Sequence, residues 1–340
     1  MKSQFIKEII ENHFPCQVGF VKARIFNELT EKIIKYNDIN QKLHLVENDV
    51  EKRINPFLIF PQAKTIIVVI FPYASQNLGI QNKSHVVSRS SWGVDYHLVI
   101  KDKLKIIQDL LKVEYGAESL VISDNHALHD RHLAYLAGLG NYGKNTLLIN
   151  KKYGSYFFIS SILTDLKLNI EEYDKPTFED ICKDCNRCLK ACPTRAISEG
   201  RFINAKSCMS YLTQSKAEVP SEFLEKFSKF TFGCDFCQVS CVYNSNINEN
   251  ILHEFKPTDR EIITVKDLEN LSNKTFNKRY KTLAASFRGK NVLLRNAILV
   301  SANNNNFEDL KNLDKINDCD KMYLKQAIKY AKDKINKGEN

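Results

Sequence analysis

The sequence lacks a long apolar run. Its longest strongly apolar stretch, Ile66 to Phe71, is far too short to span a bilayer. No secretory leader is legible, because Met1-Lys2-Ser3-Gln4-Phe5-Ile6-Lys7-Glu8 carries charge and no apolar core. A twin-arginine export signal is also missing. One region lacks acids: between Asn270 and Phe307 there is no Asp or Glu. These absences predict a cytoplasmic chain that makes no use of a membrane. The overall composition is ordinary, with 43% hydrophobic and 26% charged residues, which excludes global disorder. A length of 340 residues allows two or three domains with real cores.

Two features stand out against that background: ten cysteines and a net charge of +9. Cys16 and Cys319 stand alone and read as ordinary thiols. The other eight fall between positions 182 and 241. Cys182, Cys185, Cys188 and Cys192-Pro193 make the run C-x2-C-x2-C-x3-C-P, the spacing of bacterial two-cluster ferredoxins. Three thiolates two residues apart wrap one cubane. The fourth is expected to open a helix, with Pro193 in its first turn, and to ligate a different cluster. The counts then close on two [4Fe–4S] clusters. Cys182, Cys185 and Cys188 take Cys241, and Cys192 joins Cys208, Cys234 and Cys237. Zinc is a conceivable alternative, but the Cys-Pro ending and the three-residue gap favour iron–sulfur. Disulfides would need export.

Hydrophobic patterning organises the rest. Residues 2–13 read as a short amphipathic helix, and Ile66 to Phe71 as a buried strand. Tyr96 to Val113, with Leu98, Leu104, Ile107, Leu110 and Leu111, reads as a helix. Ser119 to Ser123 is a strand ending at Asp124, and Leu128 to Leu139 is helical. Thr146 to Asn150 and Ser155 to Leu163 are expected to pair as a hairpin around Tyr153-Gly154. This predicts an α/β domain over 1–168, a double-cluster ferredoxin-like domain over 169–255, and a helical basic tail over 256–340.

Gly138-Leu139-Gly140-Asn141-Tyr142-Gly143-Lys144 contains G-x-G-x-x-G and nearly makes a P-loop. The glycines follow a helix rather than a strand, and Asn145 stands where Ser or Thr is required. A turn that lets backbone approach a bulky cofactor is the better reading. His126, His129 and His132 could be read as zinc ligands, though ordinary helix positions are the plainer account. The acid-free stretch holds Lys274, Lys278, Arg279, Lys281, Arg288, Lys290 and Arg295. It is either a solvated face or a nucleic-acid surface.

Together these motifs resemble the epoxyqueuosine reductase family. The resemblance is carried by Arg53-Ile54-Asn55-Pro56, Ser88 to His97, Ala137 to Gly140 with Gly143 to Asn150, Cys208 to Thr213, Gly233 to Gln238, and Arg288 to Ala297. It departs from the family pattern at Asn125-His126-Ala127, Asn141 and Val242, and the C-terminal part is short. The resemblance implies a corrinoid (cobalamin) between the α/β and ferredoxin domains, and a HEAT-like C-terminal segment. Asp124 matches the family's proton-donating acid, and corrinoid contact is implied for Asp124, Leu148, Ile159, Ser210 and Asp235. A desolvated pocket is expected to raise the Asp124 pKa. Lys278, Arg279, Lys281, Arg288, Lys290 and Arg295 would meet the phosphates of a tRNA anticodon stem-loop. An external low-potential electron donor and a monomeric enzyme are also implied. Two other readings stand beside it: a related corrinoid iron–sulfur reductase acting on a small molecule, as in reductive dehalogenases, and a plain ferredoxin-type electron carrier.

Overall fold

The computed structural model describes residues 3–40, 43–74, 78–124, 126–170, 179–247, 252–316 and 320–338. Asn125 and Cys319 lie outside the described residues. The chain opens with helix α1 (Ser3–His13), strand β1 (Gln17–Lys22) and strand β2 (Thr65–Pro72). Helix α2 (Tyr96–Tyr115), strand β3 (Ser119–Ile122), helix α3 (Asp130–Leu136) and strand β4 (Phe157–Thr164) follow.

The four strands form one sheet in the order β1-β2-β4-β3, and every pairing is antiparallel. β2 is buried along its whole length. Its β-branched side chains alternate between two helical layers, as the period of two requires. Ile67, Val69 and Phe71 pack with Ile6, Ile10, Ile100, Leu104 and Leu111. Ile66, Val68 and Ile70 pack on the other face with Phe26, Ile33, Leu133 and Ala137. α2 is set by Asp95, whose carboxylate accepts the His97 N–H at 3.0 Å, and is stopped by Gly116 at φ +63°. Its core face runs through Val99, Ile100, Leu104, Ile107 and Leu111. Leu98, expected on that face, is exposed.

The domain is therefore mixed α and β with an antiparallel sheet. The expected hairpin does not form. β4 is drawn into the sheet between β2 and β3 by its buried apolar residues. Leu148-Ile149 instead pairs with Asn141-Tyr142. Only the bridge between Asn150 and Gly154 survives, held by Asn150 Oδ1 accepting the N–H groups of Lys152 and Tyr153.

The thiol-rich segment carries three short helices, α4 (Arg187–Ala191), α5 (Met209–Gln214) and α6 (Phe236–Val239). No helix opens at Cys192. α4 ends there, and Pro193 enters a turn.

The tail contains α7 (Lys290–Asn303) and α8 (Met322–Gly338). Every residue of α7 from Val292 to Ala302 is buried. The core around it draws in Val86, Val87 and Trp92 from far upstream, and Phe227, Phe230 and Phe232 from the thiol-rich segment. Val86-Val87 even pairs in parallel with Phe230 to Phe232. The packing thus runs across the boundaries expected at 168 and 255.

Candidate active site and thiol centres

Asp124 sits two residues beyond β3, at φ +56°, where the edge strand gives way to the approach to α3. Its carboxylate is half exposed at the mouth of a cavity of about 330 Å³. The cavity is lined by Tyr96, Phe157, Phe158 and Ile159, with Arg53 and Arg131 also on its wall. Asp124 Oδ2 accepts a short hydrogen bond from the Tyr96 hydroxyl and lies 2.9 Å from His97 Nε2. The other His97 nitrogen, Nδ1, lies 2.8 Å from the helix-capping carboxylate of Asp95. Tyr96 stacks on Phe158 with ring planes 8° apart, and Phe158 packs on Tyr73. This aromatic column fixes the ring that in turn fixes Asp124.

The electrostatics run against expectation. The hydrogen bond from His97 outweighs burial and holds the Asp124 carboxyl below its ordinary range. The two carboxylates raise His97 to about 9. Sequence reasoning does not single out Asp95, Tyr96 and His97 as site residues. The signal for them is Asp95-Tyr96-His97 itself, an N-cap followed by two proton-bearing side chains at the start of a long helix.

The three histidines downstream do not converge. His126 Nε2 pairs with Asp130 at 2.8 Å, and His132 Nε2 with Glu28 at 3.0 Å. His129 caps α3, its ring Nδ1 accepting the His132 N–H. The glycines of residues 138–143 serve the protein's own turn. A Cβ on Gly140 would stand 2.8 Å from the Ile149 carbonyl oxygen, and one on Gly143 would meet Asn145 and Ile149. Gly138 alone of the three faces open space.

None of the eight clustered cysteines is in a disulfide. Burial comes first in raising the pKa of Cys188, Cys208, Cys234, Cys237 and Cys241. Neighbouring thiols add to it, and their pattern has two centres. Cys241 feels Cys182 and Cys185, and Cys188 feels Cys182 and Cys241. Cys208 feels Cys192, and Cys234 feels Cys237 and Cys208. Cys237 feels both centres, through Cys208, Cys188 and Cys192. Thiols that penalise one another's ionisation this way are relieved by a bound cation, so the donor set fits a thiolate-ligated metal cluster. Backbone N–H groups of Lys144 and Ala196 donate to Cys182 Sγ and Cys192 Sγ at 3.4 and 3.3 Å.

The expected corrinoid contacts are not all brought together. Ile159 lines the Asp124 cavity. Leu148 is buried in the core behind it. Ser210 lies on α5 beside Cys208, half-buried. Asp235 is buried between Cys234 and Cys237, and its carboxylate accepts the Arg89 N–H at 2.8 Å. Phe157, Phe158 and Ile159 give the cavity one apolar side on which a macrocycle edge could rest, while Glu47, Arg53, Asp130 and Arg131 make the rest of its lining polar.

The basic stretch divides. Lys278, Arg279 and Lys281 are exposed, with Arg279 paired to Asp267 at 3.0 Å. Arg288 and Lys290 are half-buried, and with Lys216 and Lys321 they line a second cavity, of about 390 Å³. Arg295 does not stand as a phosphate contact, because it is fully buried. Its guanidinium donates to Leu212 O at 2.8 Å, Ser215 O at 3.1 Å, Ala217 O at 3.3 Å and Asn296 Oδ1 at 2.6 Å. α7 is buried on every side from Val292 to Ala302, so Arg295 ties the core to α5 rather than facing solvent.

Eight thiols in ferredoxin spacing define an iron–sulfur redox protein. Residues 181–244 match the family model of the 4Fe-4S double cluster binding domain. Residues 53–125 match that of "Epoxyqueuosine reductase QueG, DUF1730". The chain is 35% identical over 329 residues to epoxyqueuosine reductase of Lactococcus garvieae, covering 94% of this chain and 92% of that one. An epoxyqueuosine reductase solved with a tRNA-Tyr epoxyqueuosine-modified stem loop superposes with a TM-score of 0.91 at 30% identity, over 98% of this chain and 89% of that one. The Bacillus subtilis enzyme, solved with its aspartate catalytic loop swung out of the active site, superposes at 0.90 and 29% identity, over 98% and 90%. The chain belongs to the epoxyqueuosine reductase family.

Proposed function

We propose that this protein reduces the epoxide of epoxyqueuosine, at the wobble position of tRNA, to the alkene of queuosine. The observation that carries the reading is the end-to-end match to a family member solved with the modified tRNA stem loop. A corrinoid, when bound, supplies the two-electron reducing chemistry at the epoxide-bearing carbons. The family resemblance assigns contacts with it to Asp124 and Ile159, which line the cavity, and to Leu148, Ser210 and Asp235, which do not. Cys182, Cys185, Cys188 and Cys241 would hold one [4Fe–4S] cluster, and Cys192, Cys208, Cys234 and Cys237 the other. An external low-potential donor feeds electrons to them.

Asp124 is the general acid in this reading. It protonates the oxygen as the C–O bond breaks, when charge develops there. Support comes from its place at the cavity mouth and from the catalytic aspartate loop of the Bacillus subtilis relative. Tyr96 and His97 orient it. Exposed Lys278, Arg279 and Lys281, with Arg288 and Lys290 around the second cavity, would position anticodon-stem phosphates, while an unstacked loop base enters the site. We also propose a monomeric, cytoplasmic enzyme of three functional segments, 1–168, 169–255 and 256–340, the last HEAT-like. Among the described residues no helix is long and apolar enough to cross a membrane.

The test is anaerobic reconstitution with cobalamin, a strong reductant and tRNA carrying epoxyqueuosine, read by nucleoside mass spectrometry. Conversion to queuosine is expected. No conversion with intact clusters and bound corrinoid would overturn the reading.

A further inference from the structure

Reducing an epoxide to an alkene consumes two electrons and two protons and releases one water. Asp124 is held ionised by His97 and its carboxyl carries one proton at a time, so both protons must reach it within the turnover. Behind Asp124 stands His97, with Nε2 2.9 Å from Asp124 Oδ2 and Nδ1 2.8 Å from Asp95 Oδ1. A histidine spanned by two carboxylates is held as imidazolium, with both ring nitrogens donating.

We propose that His97 is the proton store behind Asp124, a positioning residue that keeps Asp124 aimed and refills it from its own Nε2–H. The inference rests on the reading of Asp124 as the proton donor. Asp124, ionised beside the His97 imidazolium, takes the Nε2 proton and passes it to the oxygen as the C–O bond breaks. A second pass through the same pair delivers the second proton to that oxygen, which leaves as water. Neutral His97 recovers a proton from solvent, which it reaches because its side chain is 32% exposed. The electrons come from the external low-potential donor through the clusters.

Every group facing this pair has a part. Asp95 and Tyr96 lie on the same helix start, and Asp124 comes from the loop after β3. Asp130 lowers the tendency of Tyr96 to ionise, and His126, itself paired with Asp130, adds to the pull that lowers Asp124. Arg53 and Arg131 stand on the cavity wall. The acids outnumber the cations next to the imidazole, which agrees with its elevation to about 9.

Two readouts test this. The first needs no corrinoid or tRNA: ¹³C NMR of the full chain with oxidised clusters, the His97 ring signal assigned by its loss in His97→Gln. A titration midpoint near 9 is expected, falling in Asp95→Asn, and a midpoint at the ordinary histidine value of about 6.5 would overturn the proposal. The second is the single-turnover rate against pH in the reconstituted enzyme. The wild-type rate should hold at neutral pH and fall through about 9. His97→Gln should lose roughly tenfold or more at about pH 8 and move that alkaline limb down by about one unit or more, as expected when a general acid loses its proton source. A rate lowered equally at every pH with the limb unmoved would make His97 a purely structural support and sink the proposal. Failure of the wild type to convert epoxyqueuosine at any pH would overturn the functional reading itself. Conversion with an unchanged His97→Gln profile would overturn the proton store alone.

Discussion

The carboxylate of Asp235 accepts the backbone N–H of Arg89 at 2.8 Å, joining the loop between Cys234 and Cys237 to the start of the Arg89–Ser91 turn. Asp235 is buried, and burial leads in raising its carboxyl to about 6. Removing its side chain leaves the Arg89 N–H unsatisfied in the interior. Asp235→Ala is expected to cost about 1–3 kcal/mol of stability, while Asp235→Asn, which keeps an acceptor oxygen, should cost less. Thermal unfolding of the cluster-loaded chain checks the order of the two variants.

Asp124 touches the cavity but supports no core. Asp124→Asn should leave the iron–sulfur absorption, corrinoid uptake and tRNA affinity in place. Turnover should fall by about 10²–10⁴-fold, the range for loss of a positioned general acid. Full activity in that variant, measured by nucleoside mass spectrometry, would refute the role.

Arg295 and Lys278 make opposite predictions although both are basic and lie in the same acid-free stretch. Arg295 hydrogen-bonds three backbone carbonyls and packs between the rings of Phe227 and Tyr323. Burial lowers its pKa to about 10. Arg295→Ala should destabilise by about 3 kcal/mol or more, through orphaned carbonyls and lost volume. The slope of tRNA affinity against salt, measured where the variant is folded, should not change.

Lys278→Glu with Lys281→Glu should do the reverse. Both side chains are exposed, so stability should move by no more than about 0.5 kcal/mol. The salt slope of tRNA binding should flatten by roughly one unit for each phosphate no longer neutralised. An unchanged slope would leave this face merely solvated.

Glu28 accepts both Arg24 guanidinium nitrogens at 2.9 Å and pairs with His132. Burial works against it, but these donors prevail and hold its carboxyl down to about 2. A depressed carboxyl stabilises the fold above its unfolded pKa, near 4.5, and loses that contribution as pH falls through about 2. Glu28→Gln should therefore be less stable than wild type near pH 6. The gap should close progressively on acidification below pH 4.5. The site is largely open to solvent, so the gap should be at most about 1 kcal/mol.

The sequence by itself determined what short-range chemistry determines. The C-x2-C-x2-C-x3-C-P run specifies cluster binding because its ligand spacing is local. The β-branched run from Ile66 to Phe71 specifies a buried strand because its pattern is its own, and α2 is legible from its apolar spacing and its Asp95 cap. Tertiary structure decided whatever depends on partners far along the chain. It put Ser155 to Leu163 into a four-stranded antiparallel sheet instead of a hairpin, because β2 offered an eight-residue buried edge. It buried Arg295 among carbonyls that lie about 80 positions earlier, which no charge count reveals. It brought His97 and Tyr96 onto Asp124, 27 and 28 residues away, and so turned an acid expected to be hard to ionise into one held ionised by a charged neighbour. Ligand spacing travels with the chain, whereas the protonation state of a site is set by what the fold places across from it.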